Sequence, residues 1–277
     1  MSRPLVIGLS GQVGEALLPR LLERASKVLA LSRQARAQQP GVEWILGSLE
    51  AMPEIPTDVD SIVSLGPLDA FAAWFAAGGP TVSRVIALSS TGRTDKLHSL
   101  DAAERELAER LCAAEDSLFE AGARRGIGVT VLRPTLLYGN GRDLSLSRLI
   151  QLGRRWGFLP LPSTATGLRQ PVHVADVADA VLRCLDAAQT SGQAYDLPGG
   201  EILAFDAMVR RTVARHAPGC RVVALPTVFF NLGLSLAALL RRAPANRGLL
   251  ARLQSDQLAD DSAAREAFDY RPRRFDP

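Results

Sequence analysis

The chain has few lysines, tyrosines and histidines, and these shortages limit the chemistry that it can perform. Lys27 and Lys96 are the only lysines among 277 residues, so nearly all positive charge comes from arginine. The formal net charge is +3, and no stretch concentrates basic residues with interleaved aromatic ones. This pattern argues against a nucleic-acid-binding protein.

Cysteine is equally scarce. Cys112, Cys184 and Cys220 are odd in number, widely spaced and outside any metal-ligand pattern. They are interpreted as free, buried residues of a reducing compartment. The N-terminus leads directly into an apolar strand pattern without a signal peptide, so a cytoplasmic protein is expected.

The chain also lacks an apolar run that could span a bilayer. Residues 228–240 are strongly apolar, but about 13 residues fall short of the roughly 20 that a membrane helix needs. We interpret the run as a buried helix or a helix of a substrate lobe, and contact with a membrane or a partner stays open. Arg241 and Arg242 at its end would cap that helix or contact lipid head groups.

The most informative feature is a glycine turn at the N-terminus. Gly8, Gly11 and Gly14 follow the apolar run 4–7 and open an apolar-periodic segment over 15–22. A strand, a glycine turn and a helix start allow the backbone to approach a pyrophosphate, which the helix N-terminus attracts. The spacing is G-x-x-G-x-x-G rather than G-x-G-x-x-G, and a plain tight turn is the alternative.

The next strand pattern indicates which dinucleotide would bind. Residues 28–31 are apolar and end in Ser32 and Arg33, with no acid between Lys27 and Val42. NAD-binding folds usually place an acid here for the ribose 2′-hydroxyl, whereas arginine accommodates a 2′-phosphate. The sequence therefore favours NADP(H), with NAD(H) as the alternative.

Alternating patterns predict the fold class. Further strands are expected at 44–46, 61–65, 84–88, 129–132 and 195–197, and a helix at 101–123. Apolar strands separated by helices indicate an α/β protein with a Rossmann-like, doubly wound parallel sheet and a small, mostly helical C-terminal substrate lobe. We expect a dinucleotide-binding domain over 1–144, to which 168–198 add a late strand and helix, and a substrate lobe over 145–167 and 199–277.

Five motifs along the chain occur in the order of a known family. They are Ser89-Ser90-Thr91, LRPTLLYGNG at 132–141, VHVADVA at 172–178, YDLPGG at 195–200 and FDYRPRRF at 268–275. With the glycine turn, they resemble the extended short-chain dehydrogenase/reductase superfamily, in its nucleotide-sugar epimerase/dehydratase branch. The resemblance spans nearly the whole chain.

The resemblance implies a set of binding residues. Tyr138 and Arg169 would contact the substrate, and no metal is expected. The implied cofactor contacts are Gly8, Ser10, Gly11, Gln12, Val13, Gly14, Ser32, Arg33, Ser48, Leu49, Leu65, Gly66, Ser89, Ser90, Arg133 and Pro134.

The catalytic pair of that family is missing. Its members carry Tyr-x-x-x-Lys on the helix after the fifth strand, with both side chains on one helix face. Leu107 and Leu111 occupy those positions here, and no tyrosine is followed by lysine at that spacing. The candidate catalytic residues are therefore Thr91, Lys96 and Tyr138, with His98 as a weaker alternative.

Two functions remain open on the sequence. One is an NADP(H)-dependent oxidoreductase or epimerase-like enzyme acting on a nucleotide sugar or small carbonyl compound with a non-standard proton donor. The other is a catalytically inactive dinucleotide-binding sensor or scaffold. A homodimer could form through the helix that carries Leu107, Leu111 and Leu118, although these residues would equally suit packing within the chain.

Overall fold

A seven-stranded parallel sheet forms the centre of the molecule. The computed structural model describes residues 3–25, 27–141, 146–230, 232 and 249–277. The strand order is β11-β6-β5-β4-β1-β2-β3, the doubly wound order with one added strand. The strands are β1 (Pro4–Ile7), β2 (Val28–Ser32), β3 (Val42–Leu46), β4 (Ser61–Ser64), β5 (Arg84–Leu88), β6 (Gly128–Pro134) and β11 (Gln193–Leu197). The predicted parallel sheet is confirmed.

Helices cover both faces of this sheet, which explains why its central strands are apolar throughout. On one face α1 (Gln12–Arg24) packs against α6 (Val174–Asp186). On the other face α2 (Leu68–Ala77) packs against α4 (Ala102–Arg125), and the one-turn helix α3 (Gly92–Asp95) precedes α4. Each face buries its own apolar cluster. Leu118 of α4 is fully buried there, which favours the packing alternative for this residue over a dimer contact.

The remaining elements build a smaller second region. Helices α5 (Leu146–Trp156) and α7 (Phe205–His216) pack on each other, and β8 (Phe158–Pro162) pairs in parallel with β13 (Arg221–Leu225). Two other small pairs join this region to the main sheet, together with two short helices. These elements are β7 (Leu137–Tyr138) with β10 (Val172–His173), β9 (Leu168–Arg169) with β12 (Leu203–Ala204), α8 (Leu249–Gln254) and α9 (Ser262–Phe268).

The last residues tie the two regions together. The Tyr270 hydroxyl donates a hydrogen bond to the carbonyl oxygen of Pro198 at 2.9 Å. The Arg273 side chain and backbone N–H both donate to the Asp176 carboxylate, at 2.8 and 3.0 Å. The motifs at 172–178, 195–200 and 268–275 therefore meet in space, and Asp176 is an anchor for the C-terminal segment.

No helix within the described residues is both long and apolar enough to cross a membrane. Of the apolar run 228–240, residues 231 and 233–240 lie outside the described residues, as do Arg241 and Arg242.

Candidate functional site

The glycine turn lies where β1 and β4 end side by side, at the point where the strand order reverses. Gly8 has φ +85°, and a Cβ there would lie 3.0 Å from the carbonyl carbon of Leu65. A Cβ on Gly14 would lie 2.1 Å from the carbonyl oxygen of Leu9, so only glycine allows α1 to pack this closely on the turn. The turn thus requires glycine at both positions, as the family fingerprint does.

Helix α1 begins without a side-chain cap. Its N-cap residue is Gly11, which has no side chain that could accept a hydrogen bond from the first helical N–H groups. Val13, in the first turn, is buried in the core. The first backbone N–H groups of a helix are unpaired within the helix and carry partial positive charge. A glycine-lined helix start at the carboxyl edge of a parallel sheet is suited to bind a phosphate group.

A cavity of about 560 Å³ opens on the β2 side of the turn. Arg36 extends back toward β2, and its Nε donates to the Ser32 hydroxyl at 3.3 Å. Arg36 was not predicted, although it lies in the same acid-free segment as Arg33. The residues that line this cavity also include Gly8, Ser10, Ser32, Arg33, Ser48, Leu49, Glu50 and Gly66.

A second cavity, of about 730 Å³, opens on the other side of the turn. Its walls include the predicted residues Gln12, Ser89, Ser90, Thr91, Lys96, Pro134 and Arg169. They also include Asp95, which sequence reasoning missed. Gly8 and Ser10 line the first cavity and Gln12 the second, so the glycine turn separates the two.

Among the described residues that line this second cavity, Asp95 is the only one that carries a carboxyl group. Burial raises the pKa of Asp95, and the nearby Asp196 raises it further. A hydrogen bond from Thr91 and the charges of Arg169 and Lys96 act in the opposite direction. These effects together raise the pKa of Asp95 above the ordinary aspartate value, although its side chain is partly open to solvent.

A buried ionic cluster lies behind Ser89. Glu115 of α4 is 1% exposed, accepts the Ser89 hydroxyl at 2.5 Å and pairs with the Arg133 Nε at 3.0 Å. Arg93 Nε lies 3.3 Å from the same carboxylate, and Asp196 lies 3.7 Å from Arg133. Arg133 therefore points into this cluster, and its predicted role as a cofactor contact stays a prediction.

Tyr138 is almost fully buried, and its catalytic and substrate-binding roles stay predictions. Its ring is 2% exposed and packs edge-on against His173 and Phe275. Its hydroxyl donates to the carbonyl oxygen of Arg274 at 3.4 Å and accepts the backbone N–H of Asp276 at 3.3 Å. Burial raises its pKa. Tyr138 lines a third cavity, of about 330 Å³, which shares Leu146 with the cavity whose walls carry Asp95 and Lys96.

Arg169 reaches the second cavity, but its guanidinium is largely committed elsewhere. It is 4% exposed, and Nη1 donates to the carbonyl oxygens of Leu168 and Ser255, each at 2.7 Å. Nη2 donates to the carbonyl oxygen of Arg252 in α8. These bonds hold the end of α8, and the predicted contact of Arg169 with the substrate stays a prediction.

No protein-family model matches the chain. Curated relatives match only in part, and each match spans under a third of the relative's length. NADH dehydrogenase [ubiquinone] 1 alpha subcomplex subunit 9 of Dictyostelium discoideum is 28% identical over 106 residues, which are 35% of this chain and 29% of that protein. UDP-glucose 4-epimerase of Vibrio cholerae is 26% identical over 97 residues, 35% of this chain and 30% of that protein.

Solved structures match over the whole chain. MoeE5 in complex with UDP-glucuronic acid and NAD has a TM-score of 0.71 at 18% identity, covering 99% of this chain and 95% of that one. UDP-N-acetylglucosamine 4-epimerase of Bacillus cereus has a TM-score of 0.68 at 14% identity, covering 100% and 92%. The chain therefore shares with these proteins a Rossmann-like α/β fold built on a parallel sheet.

Proposed function

We propose that the protein is an NADP(H)-binding oxidoreductase of the epimerase/dehydratase type, acting on a nucleotide sugar or a small carbonyl compound. One observation carries the proposal: two cavities adjoin at the glycine turn, one lined by Arg33, Arg36 and Glu50 and the other by the carboxyl group of Asp95. This arrangement suits a dinucleotide that lies across the sheet edge with its reactive end beside Asp95. Structural neighbours named as complexes with NAD and uridine diphosphate sugars support a nicotinamide dinucleotide and a nucleotide sugar, and the choice of NADP(H) rests on the arginines of the first cavity.

The cofactor would be held at two places. The start of α1, with Gly11, Ser10 and Gln12, would bind the pyrophosphate through backbone N–H groups. Arg33 and Arg36, which line the first cavity with Ser32, would bind a ribose 2′-phosphate. Ser48, Leu49, Leu65 and Gly66 would contact the adenosine, and Ser89, Ser90 and Pro134 the nicotinamide end.

The choice of cofactor is tested by removing the two arginines. We expect Arg33→Ala and Arg36→Ala each to weaken NADPH binding by about 1.5–3 kcal/mol and to leave NADH binding nearly unchanged, because each loses a charged hydrogen bond to the 2′-phosphate. Calorimetric titration with both cofactors measures this, with Arg110→Ala on α4 as the control. An equal loss for NADPH and NADH would refute the 2′-phosphate role.

Asp95 would accept and donate the proton in this reaction. When bound, the dinucleotide supplies the hydride acceptor for oxidation of a substrate hydroxyl. The Asp95 carboxylate would take the hydroxyl proton as the carbonyl forms and return it in the reverse direction. Thr91, which hydrogen-bonds to Asp95, would position the substrate oxygen, and Lys96 would neutralise the negative charge that develops there.

This assignment separates Asp95 from Tyr138. With UDP-glucose and NADP⁺ as probes, we expect Asp95→Asn to lower the rate of NADPH formation at 340 nm by 10²–10⁴-fold, the usual size of general acid–base catalysis. Tyr138→Phe and the exposed control Asp116→Asn should retain the rate. If Asp95→Asn formed NADPH at the wild-type rate, Asp95 would not be the proton carrier, and the proposal for cofactor binding would be unaffected.

A second candidate is a dinucleotide-binding protein without turnover. Leu107 and Leu111 occupy the positions of the usual tyrosine and lysine, and neither can carry a proton. Two curated relatives are named as subunits of an NADH dehydrogenase, which suits a structural role within an assembly. Tight NADPH binding with neither NADPH formation nor conversion of UDP-glucose or UDP-N-acetylglucosamine to another sugar nucleotide would favour this candidate.

A further inference from the structure

Charge is unevenly divided along the chain. Residues 144–175 and 207–255 together contain twelve arginines and no aspartate, glutamate or lysine. All 29 acidic residues therefore lie in the rest of the chain, where they outnumber 20 basic ones. The modest net charge of +3 conceals a strongly basic part and an acidic part, a division typical of a protein that meets an anionic surface.

Part of this basic region forms a continuous outer surface. Strand pairing places Phe158 of β8 opposite Arg221 of β13, and Val223 follows two residues along on the same side. The rings of Trp156 and Phe158 lie 6.4 Å apart. We call this surface the basic aromatic face; it consists of Arg154, Arg155, Trp156, Phe158, Arg221 and Val223.

The opposite side of the same two strands faces inward. Leu159 and Leu161 are 2% and 5% exposed and pack in an apolar cluster with Val209 and Val213 of α7. Because side chains alternate along a strand, the outer side has no such cover from the described residues. Phe158 is accordingly 50% exposed and Trp156 is 52% exposed.

The positive charge on this face is not neutralised within the described part of the chain. Arg154 donates both Nε and Nη2 to the backbone carbonyl of His216, at 2.9 and 2.7 Å, which leaves its charge uncompensated. Arg155 and Arg221 pair with no carboxylate among the described residues, and neither does the nearby Arg215 of α7. Several arginines of the acidic part do pair with a carboxylate, as Arg20 does with Asp179 and Arg24 with Asp186.

Exposed apolar side chains also follow β13 in the sequence. Val228, Phe229 and Leu232 are 76%, 63% and 67% exposed. Aliphatic and aromatic side chains next to unpaired arginines are the combination found where proteins rest on a bilayer, with the rings at headgroup depth and the guanidinium groups on phosphates.

We infer that the basic aromatic face docks this protein on the surface of a membrane that contains acidic phospholipids. Arginines on the face meet the lipid phosphates while Trp156 and Phe158 enter the interfacial layer. A nucleic acid would match the arginines, but it offers no apolar layer to cover the aliphatic side chain of Val223. The inference is independent of the cofactor site, which lies at the edge of the main sheet.

Vesicle binding by the full chain tests this inference. The probes are large unilamellar vesicles of phosphatidylcholine alone and with one third phosphatidylglycerol, assayed by co-sedimentation. We expect binding to the acidic vesicles that weakens with added NaCl, and little binding to phosphatidylcholine. Arg155→Gln with Arg221→Gln should weaken binding about 25-fold, at about fivefold per arginine. Trp156→Ser with Phe158→Ser should weaken it about tenfold or more.

The control changes two arginines of the acidic part, Arg110→Gln and Arg124→Gln on α4, and should bind as wild type does. Circular dichroism and the urea midpoint establish that each variant is folded. Equal binding to both vesicle types, or equal losses in the two arginine pairs, would overturn the inference. Tighter binding to a 20-base-pair duplex than to acidic vesicles would assign the face to nucleic acid instead.

Discussion

Removing the carboxylate of Glu115 should destabilise the protein far more than removing any exposed acid. Glu115 is 1% exposed and compensates Arg133 at 3.0 Å and Arg93 at 3.3 Å, while it also accepts the Ser89 hydroxyl. Glu115→Ala leaves two arginines in a largely buried cluster with one fewer counter-charge. Breaking a buried pair from one side costs about 3–5 kcal/mol.

The measurement is urea unfolding, supported by thermal melts. At about 2–4 °C per kcal/mol for a chain of this size, the melting temperature should fall by about 6–20 °C. Glu109→Ala, an exposed change on the same helix, should stay within about 0.5 kcal/mol of wild type. Glu115→Gln keeps an acceptor oxygen for Ser89 and Arg133 and should fall between the two. If Glu115→Ala lost no more stability than Glu109→Ala, the cluster would contribute nothing to the fold.

Two further predictions concern the glycine turn and a thiol. Gly14→Ala places a Cβ 2.1 Å from the carbonyl oxygen of Leu9, so α1 must shift. We expect the free energy of unfolding in urea to fall by about 1–3 kcal/mol and NADPH binding to be lost in a calorimetric titration. Wild-type affinity for NADPH would show that the turn tolerates the shift. Burial raises the pKa of the Cys184 thiol to about 12. Iodoacetamide should therefore leave Cys184 unmodified in the folded protein, and mass spectrometry that finds it alkylated before unfolding would contradict the buried position.

The sequence predicted the elements that depend on local pattern. The central strands of the main sheet are mostly apolar runs, whereas β3 and β11 at its edges contain Glu43 and Asp196; the glycine spacing marked the switch point. Side-chain roles were harder, since they depend on partners distant in sequence. Tyr138 and Arg169 stand in the expected motifs, but backbone atoms of residues 274–276 and 252–255 satisfy them. No spacing rule could show those contacts.

Asp95 shows how the cluster around Glu115 bears on the proposed chemistry. The positive charges of Arg93 and Arg133 would favour the ionised form of a neighbouring carboxyl group, but Glu115 and Asp196 balance these charges. Burial and the charge of Asp196 can then raise the pKa of Asp95 against the weaker effects of Arg169 and Lys96. If Glu115→Gln folds, it leaves one positive charge uncompensated, which lowers the pKa of Asp95. The pH profile of NADPH formation from UDP-glucose should consequently move toward acid in this variant. A profile that stays in place would mean that the cluster supports the fold alone, and the proton would have to be carried by another group of the cavity, of which Lys96 is the nearest in sequence.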